Sequence, residues 1–252
     1  MSSDRQEEIR FLLQEHGHLT VTELAQRLNV SEMTIRRDLK TLASMGLVQR
    51  EHGKAIYPNN QVSTDPLFLT RLGEAEREKT LIGRAAAELI NDGESIILDA
   101  GTTTLALAQA LTKTTVAITN SLPIASVLGS KEKVTTLITG GEVRGTTFAL
   151  VGPMTRSSFA GFNADKVFLA ATGVSIEKGL STTSMLESEV KQAMIKAAKK
   201  VILLAHSAKL GQVYYHTFAN WDVVDILITD SRLPKGMQEE LTKVGVHVII
   251  AE

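Results

Sequence analysis

The stretch Ser31-Glu32-Met33-Thr34-Ile35-Arg36-Arg37-Asp38-Leu39-Lys40 decides how the rest of this chain is read. At helical period Ile35, Leu39 and Leu42 fall on one face, an i, i+4, i+7 stripe that a core would bury. Met33, Arg36, Arg37, Lys40 and Ser44 fall on the other side. A short helix that is apolar behind and rich in donors in front suits the DNA major groove. There guanidinium and hydroxyl groups meet phosphates and base edges.

The flanking sequence supplies the rest of a small module. Leu19-Thr20-Val21-Thr22-Glu23-Leu24 is a helix start: Thr20 can cap, Glu23 can reach back to the cap amide, and Leu19 can pack on Leu24. That helix presents Leu24 and Leu28 and stops at Asn29, after which Ser31 caps the next one. Ile9 to Leu13 supplies an earlier amphipathic helix. Beyond Gly46, Leu47-Val48-Gln49-Arg50 and Lys54-Ala55-Ile56-Tyr57 flank a Glu-His-Gly turn, the size of a β-hairpin wing. Residues 1–57 therefore predict a winged helix-turn-helix. Its candidate DNA contacts are Ser31, Met33, Thr34, Arg36, Arg37 and Lys40 on the helix and Arg50, His52 and Lys54 on the wing. No second ligand stands at metal spacing from His52, so the ring reads as a phosphate or water contact.

Charge is a weaker signal. The net charge of the chain is -1, and residues 1–57 carry eight Lys/Arg against eight Asp/Glu. Only from Met33 to Lys54 does the balance tip, with Arg36, Arg37, Lys40, Arg50 and Lys54 against Asp38 and Glu51. A local basic patch on a neutral protein fits specific binding better than general adhesion to nucleic acid, and from charge alone it fits a solvated helix face equally well.

A length of 252 residues calls for a small domain plus a larger one, and 43% hydrophobic content is ample for a core. No apolar run reaches the roughly 18 residues of a membrane span, and the first residues lack the layout of a secretory signal. Cysteine is absent, which removes disulfides, thiolate metal sites and cysteine nucleophiles together. A cytoplasmic location, no membrane association, no metal site and no cofactor are the expectations.

From Pro58 the chain turns polar, with Pro58 and Pro66 bracketing Asn, Ser and Thr residues. Residues 58–75 read as a linker, either flexible or an ordered surface loop. Helical periodicity resumes near Glu74, with Leu81, Ile82, Ala85 and Leu89 inward. The remainder, 76–252, repeats one unit: a short apolar run ends in small polar residues, and a helix or turn follows. The runs are Ile96-Leu98, Val116-Thr119, Leu137-Thr139, Val167-Leu169, Val201-Leu204 and Ile226-Thr229. Strands without inner alternation, separated by helix-length segments, predict a largely parallel sheet covered on both faces.

Ligands of such sheets bind at the carboxyl ends of the strands. Asp99-Ala100-Gly101-Thr102-Thr103-Thr104 is the foremost candidate: Gly101 permits close approach, the helix start offers free amides to an anion, and the threonines add donors. It is neither a Walker loop nor the dinucleotide fingerprint, so a phosphate smaller than a nucleotide's polyphosphate is the natural guest. The alternative is that Thr102 only caps a helix. Gly140-Gly141 is a ligand loop or a plain turn, and Lys209 holds a phosphate or closes a loop. Trp221 and His247 read as packing or surface positions.

The run Val21 to Tyr57, centred on Thr34-Ile35-Arg36-Arg37-Asp38-Leu39, resembles the DNA-binding head of DeoR-type bacterial transcription regulators. Lys54 stands where that family's wing has the second glycine of His-Gly-Gly. The remainder resembles the family's sensor domain, similar in fold to ribose-5-phosphate isomerase. The matching motifs are Asp99–Thr104, Thr119-Asn120-Ser121, Gly140-Gly141-Glu142, Gly152-Pro153, the segment around Thr182, Glu189 and Lys191, and Lys209-Leu210-Gly211. The resemblance implies a phosphosugar pocket that includes Asp99, Gly101, Thr102, Thr103, Thr104, Asn120, Ser121, Gly140, Gly141, Glu142, Glu189, Lys191 and Lys209. In the last loop this chain reads His206-Ser207-Ala208-Lys209, where the family has an acid first and a serine third. That change alters the charge of the implied pocket.

The function expected is repression of a carbohydrate-utilisation operon. Operator DNA and a phosphorylated sugar are the partners, and assembly is as a homodimer or homotetramer, since one head reads one half-site. A sugar-phosphate isomerase with an accessory head is the alternative, with Asp99, Glu142 and Glu189 as possible bases. A scaffold whose head binds protein is a third reading.

Overall fold

The structure, a computed structural model, describes residues 2–16, 18–44, 48–51, 54–56 and 67–252, with side chains given for all of these except 2–4, 14–16, 44, 49–51, 56 and 235. The chain divides into two compact units, residues 1–74 and 75–252.

In the first unit the helix-start signature at Thr20 folds as predicted. Helices α1 (Ser2–His16) and α2 (Val21–Arg27) are joined through strand β1 (His18–Thr20). The Thr20 hydroxyl accepts from the Glu23 amide at 3.1 Å, and the Glu23 carboxylate accepts from the Thr20 amide at 2.7 Å, a complete capping box. Asn29 ends α2 with φ at 50°, and two amide bonds, Val30 to Ala25 O and Asn29 to Gln26 O, close a Schellman turn. Ser31 then accepts from the Thr34 amide at 3.2 Å and starts α3 (Glu32–Ser44). Ile35, Leu39 and Leu42 are buried against Ile9, Leu13 and Leu24. At about 1.5–3 kcal/mol per buried aliphatic side chain, this cluster is what holds so small a unit together.

The wing is β2 (Gln49–Glu51) paired antiparallel with β3 (Lys54–Ile56), and β1 adds a third strand beyond β3, which the sequence reading did not anticipate. Three residues, His-Leu-Thr, carry too little pattern to stand out as a strand. Within the interval read as a linker, Phe68–Gly73 forms α4 with Phe68 buried, and Arg10 pairs with Glu74 at 2.6 Å.

The second unit opens with α5 (Glu76–Glu88). Lys79, Ile82, Gly83, Ala86 and Ala87 are its buried positions, while Leu81, Ala85 and Leu89 are half-buried. The inward face is thus rotated from the one predicted, because small residues at Gly83 and Ala86 let α5 lie close on the next helix. Then follow β4 (Ser95–Leu98), α6 (Thr102–Ala110), β5 (Thr115–Thr119), α7 (Leu122–Gly129) and β6 (Val134–Ile138). The predicted alternation breaks here: a hairpin, β7 (Glu142–Arg144) with β8 (Ala149–Val151), and the short α8 (Pro153–Ser158) precede β9 (Ala164–Ala170). After β10 (Gly173–Ser175) and β11 (Gly179–Thr182) come α9 (Met185–Lys196) and β12 (Ala198–Leu204). β13 (His216–Ala219), β14 (Ile226–Asp230), α10 (Lys235–Lys243) and β15 (His247–Ala251) complete the chain.

Seven strands form one parallel sheet in the order β15-β14-β12-β9-β4-β5-β6, and it includes all six predicted runs. The seventh, β15, lies at the edge, and His247 begins it. β10, β11 and β13 make a small antiparallel sheet. Trp221 is buried, with its indole N–H donating to Ser175 O at 2.9 Å. The chain runs outward from β4 through β5 to β6, then returns to β9 on β4's other side. The topological switch therefore lies between β4 and β9. Among the described residues no helix is long and apolar enough to cross a membrane.

Candidate nucleic-acid interface and strand-end site

The front of α3 is open. Met33 is 80% exposed, and Arg36, Arg37 and Lys40 are exposed beside it. Arg37 and Lys40 form no ion pair among the described residues. Arg36 meets Glu32 one turn back at 3.3 Å, a half-exposed pair of the kind that contributes little and leaves the guanidinium available to a phosphate. Hydrogen bonds from Thr22 and then Arg36 hold the Glu32 carboxyl below its usual range and tie α2 to α3. The Ser31 and Thr34 hydroxyls lie 2.9 Å apart at the helix start. Lys54 is exposed on β3, while the Arg50 side chain and His52 lie outside the described residues.

One position departs from the charge tally. Asp38 is 1% exposed and turned inward, accepting from Arg5 at 2.6 Å and Gln6 at 3.3 Å on α1. It fastens α3 to α1 rather than offsetting the basic face. Nothing in the local pattern signals this, because the partner lies more than thirty residues away.

In the second unit the predicted ligand residues gather at the carboxyl edge of the parallel sheet. Asp99 to Thr104 follow β4, Asn120 and Ser121 follow β5, Gly140 to Glu142 follow β6, and Lys209 sits in a 3-10 turn (Ser207–Lys209) after β12. Gly101, in extended backbone, is the N-cap of α6, and no side chain caps this helix start. Thr102 is the first helical residue and not the cap. Thr102, Thr103 and Thr104 are all buried, and Thr104 donates back to Gly101 O at 3.0 Å. A Cβ on Gly101 would stand 2.7 Å from the Ala170 Cβ. Glycine here lets the ends of β4 and β9 close together, a packing reason where the sequence reading gave a ligand reason.

Asp99 is buried at the switch point. It accepts from the Ala170 amide at 2.9 Å and from the Lys191 ammonium, which also donates to Ala170 O at 2.9 Å and lies over the Phe218 ring. Burial pushes the Asp99 carboxyl above its usual range, with Lys191 pulling it back. Beside this pair stands a residue the sequence reading missed. Glu187 on α9 accepts from Arg144 at 3.2 Å, Thr147 at 2.9 Å and Thr182 at 2.9 Å. Glu189, also expected in the pocket from the sequence, instead forms a solvent-facing pair with Arg156 at 3.1 Å.

Asn120 is committed to the framework: its amide group donates to Leu150 O at 3.0 Å and accepts from the Ala100 amide at 3.1 Å. Ser121 caps α7. Gly141, at φ 136°, is held where a Cβ would meet the Thr155 hydroxyl at 2.0 Å, and Thr155 donates to Gly140 O at 2.7 Å. That loop is a built turn, and Glu142 after it is exposed. At the end of β12, His206 is 5% exposed, with Nδ1 buried and without a hydrogen-bond partner. Burial, then Lys209 and Lys79 with Arg232, push its pKa down to about 3 against the pull of Asp230. Lys79 is a second buried cation that the sequence reading missed. A lysine at a helix position facing small residues was the only available signal.

Two family matches cover almost the whole chain: a DeoR-like helix-turn-helix domain over residues 5–61 and the DeoR C terminal sensor domain over residues 74–231. The HTH-type transcriptional regulator GlpR of Haloferax volcanii is 34% identical over 99% of this chain and 98% of its own. The HTH-type transcriptional repressor GlcR of Bacillus subtilis is 35% identical over 95% and 93%. The lactose phosphotransferase system repressor of Streptococcus mutans is 33% identical over 94% and 95%. Among solved structures, ribose 5-phosphate isomerase A from Methanocaldococcus jannaschii overlaps 54% of this chain and 55% of its own at 16% identity and a TM-score of 0.41. An exposed basic recognition helix on a winged head, joined to a parallel α/β domain, together with the two family matches and the regulators above, leads to one conclusion: the chain belongs to the DeoR family of DNA-binding transcriptional regulators.

Proposed function

We propose that this regulator represses a carbohydrate-utilisation operon from the cytoplasm, and that a phosphorylated sugar bound at the strand-end site modulates its hold on operator DNA. The observation that carries the effector is the uncapped start of α6, beside three buried threonines and the Asp99–Lys191 pair at the switch point. Free amides at a helix start favour a phosphate. Carboxylates and hydroxyls nearby suit a polyol, and the Thr139, Thr146 and Thr183 hydroxyls are buried without a partner. The relatives named above as regulators and repressors, one of a sugar phosphotransferase system, support the same reading.

Coupling requires the effector to bind the DNA-free and DNA-bound arrangements with unequal affinity. Two heads on one operator require at least a dimer. The test is fluorescence anisotropy on DNA from upstream of the protein's own operon, at two salt concentrations and with a panel of sugar phosphates. Specific binding changed by one phosphate ester is the expected result. Binding indifferent to the whole panel would remove the phosphosugar effector. Turnover of a sugar phosphate above about 1 per second would instead favour an isomerase with an accessory head.

A further inference from the structure

β6 closes one edge of the seven-strand sheet and pairs only with β5, so one row of its backbone donors and acceptors faces no strand among the described residues. The register aligns Val116 with Thr135 and Ile118 with Leu137, which puts these four on one face. Ile118 is buried, but Val116 is 39% and Leu137 40% exposed, and Ile138 on the opposite face is 47% exposed. The strand Val-Thr-Thr-Leu-Ile has neither a charge nor a proline, the usual devices that blunt an open edge. At the other edge Val248, Ile249 and Ile250 of β15 are half-buried beside α5 and α10, whereas β6 has α7 beside it and still leaves Leu137 and Ile138 exposed. The two ends of β6 also differ in charge. Lys133 precedes the strand and Glu142 follows it; both are exposed and neither forms an ion pair among the described residues.

We propose that this edge is where two copies of the chain join, β6 lying antiparallel to β6 of the second copy about a two-fold axis and making one continuous sheet. Antiparallel pairing sets the Lys133 end of each strand beside the Glu142 end of the other, whereas a parallel approach would set lysine on lysine. Leu137 of each copy then stands on the same face of the joined sheet, next to the new strand pair. The occupant is a second copy because one head reads a half-site and a dyad supplies the other, so the inference rests on the operator-binding reading above.

The chain has no cysteine, so a single introduced thiol reports the axis. Strands paired antiparallel bring opposed Cα atoms to about 4.5–5.5 Å, within reach of a disulfide. Thr135→Cys, Thr136→Cys and Leu137→Cys are oxidised beside Val248→Cys on the other edge. At least one of the three, alone or mixed in equal amounts with another of them, should form a covalent dimer faster than the Val248→Cys control. In light scattering, Leu137→Asp with Ile138→Asp should turn a dimer into a monomer, with operator affinity lowered about 100-fold and an unchanged circular dichroism spectrum. A wild-type dimer that survives the double variant, or thiols that never outpace the control, would overturn the β6 edge and leave the two-headed operator reading standing. A wild-type monomer that binds its operator tightly would overturn both. Should the double variant fail to fold, the cysteine series decides alone.

Discussion

The two units handle their charged side chains in opposite ways. On the head, Arg37 and Lys40 stand outward without ion pairs among the described residues, and Arg36 meets the half-exposed Glu32. In the α/β domain, Asp99 and Lys191 are both buried and joined, and Glu187 is surrounded by Arg144, Thr147 and Thr182. The difference matches the two guests proposed above. A DNA duplex arrives as a surface and finds exposed donors. A small molecule needs a site held in shape before it arrives, so that site's charges must be neutralised within the fold. Substitutions should therefore split cleanly: outward residues should change binding and leave stability alone, and inward residues should change stability first.

The largest effect expected is that of Lys191→Met. It leaves the Asp99 carboxylate buried without its cation, and breaking such a pair costs about 3–5 kcal/mol. Chemical denaturation of the α/β domain, followed by far-UV circular dichroism, reads this directly. A loss under about 1 kcal/mol would mean that the carboxyl simply protonates or finds water, and the contrast between the units would weaken.

Arg37→Ala is the opposite test. Operator affinity should fall by about 1–3 kcal/mol, while folding stability stays within the scatter of a surface change, about 0.5 kcal/mol. Arg36→Ala should cost somewhat less, because Glu32 already neutralises part of its charge. Equal losses in stability and affinity would mean that the front of α3 is part of the head's own packing.

His206 sharpens the contrast through pH. Its ring is kept neutral in the folded chain down to about 3, against 6.5 when unfolded, so in that window the unfolded state binds the extra proton. Stability falls as pH drops from 6.5 toward 3, by about 1.4 kcal/mol per unit from this residue. In His206→Gln that contribution vanishes. Urea midpoints at pH 7.5, 6 and 5 should show the wild type losing ground relative to the variant. Parallel curves would mean that the ring is solvated.

The same division decides what could be read from the sequence. Period fixes sides within one element, so Ile35, Leu39 and Leu42 were assignable to the core and Arg36 and Arg37 to the front. Apolar runs marked six of the seven parallel strands, while β15 (His247–Ala251) was passed over. The gathering of small polar residues at the carboxyl edge of the sheet was legible, since they follow each run. It was not legible as a network. Lys191 meets Asp99 across 92 residues and Arg144 meets Glu187 across 43, and no local pattern carries such pairings. Asp38 failed for the same reason, its partner being Arg5 on another helix. Gly101 also has a packing role that the sequence did not show, because whether a bare backbone meets a neighbouring strand depends on the sheet order.

The smallest effect is at a position where both kinds of information agreed. Thr20→Ala removes one half of the capping box and frees the Glu23 amide at the start of α2. The change should cost about 1 kcal/mol of head stability. It should leave the α/β domain untouched, since Thr20 belongs to the first unit. Operator affinity at saturating stability should not change, because the exposed face of α3 keeps its residues. Thermal melts that show a lowered head transition with an intact second transition would place the effect where the structure puts it. A drop in operator affinity with no shift in melting would instead mean that α2 touches DNA through its N-terminus. The division between a binding face and a supporting scaffold would then run through the capping box itself.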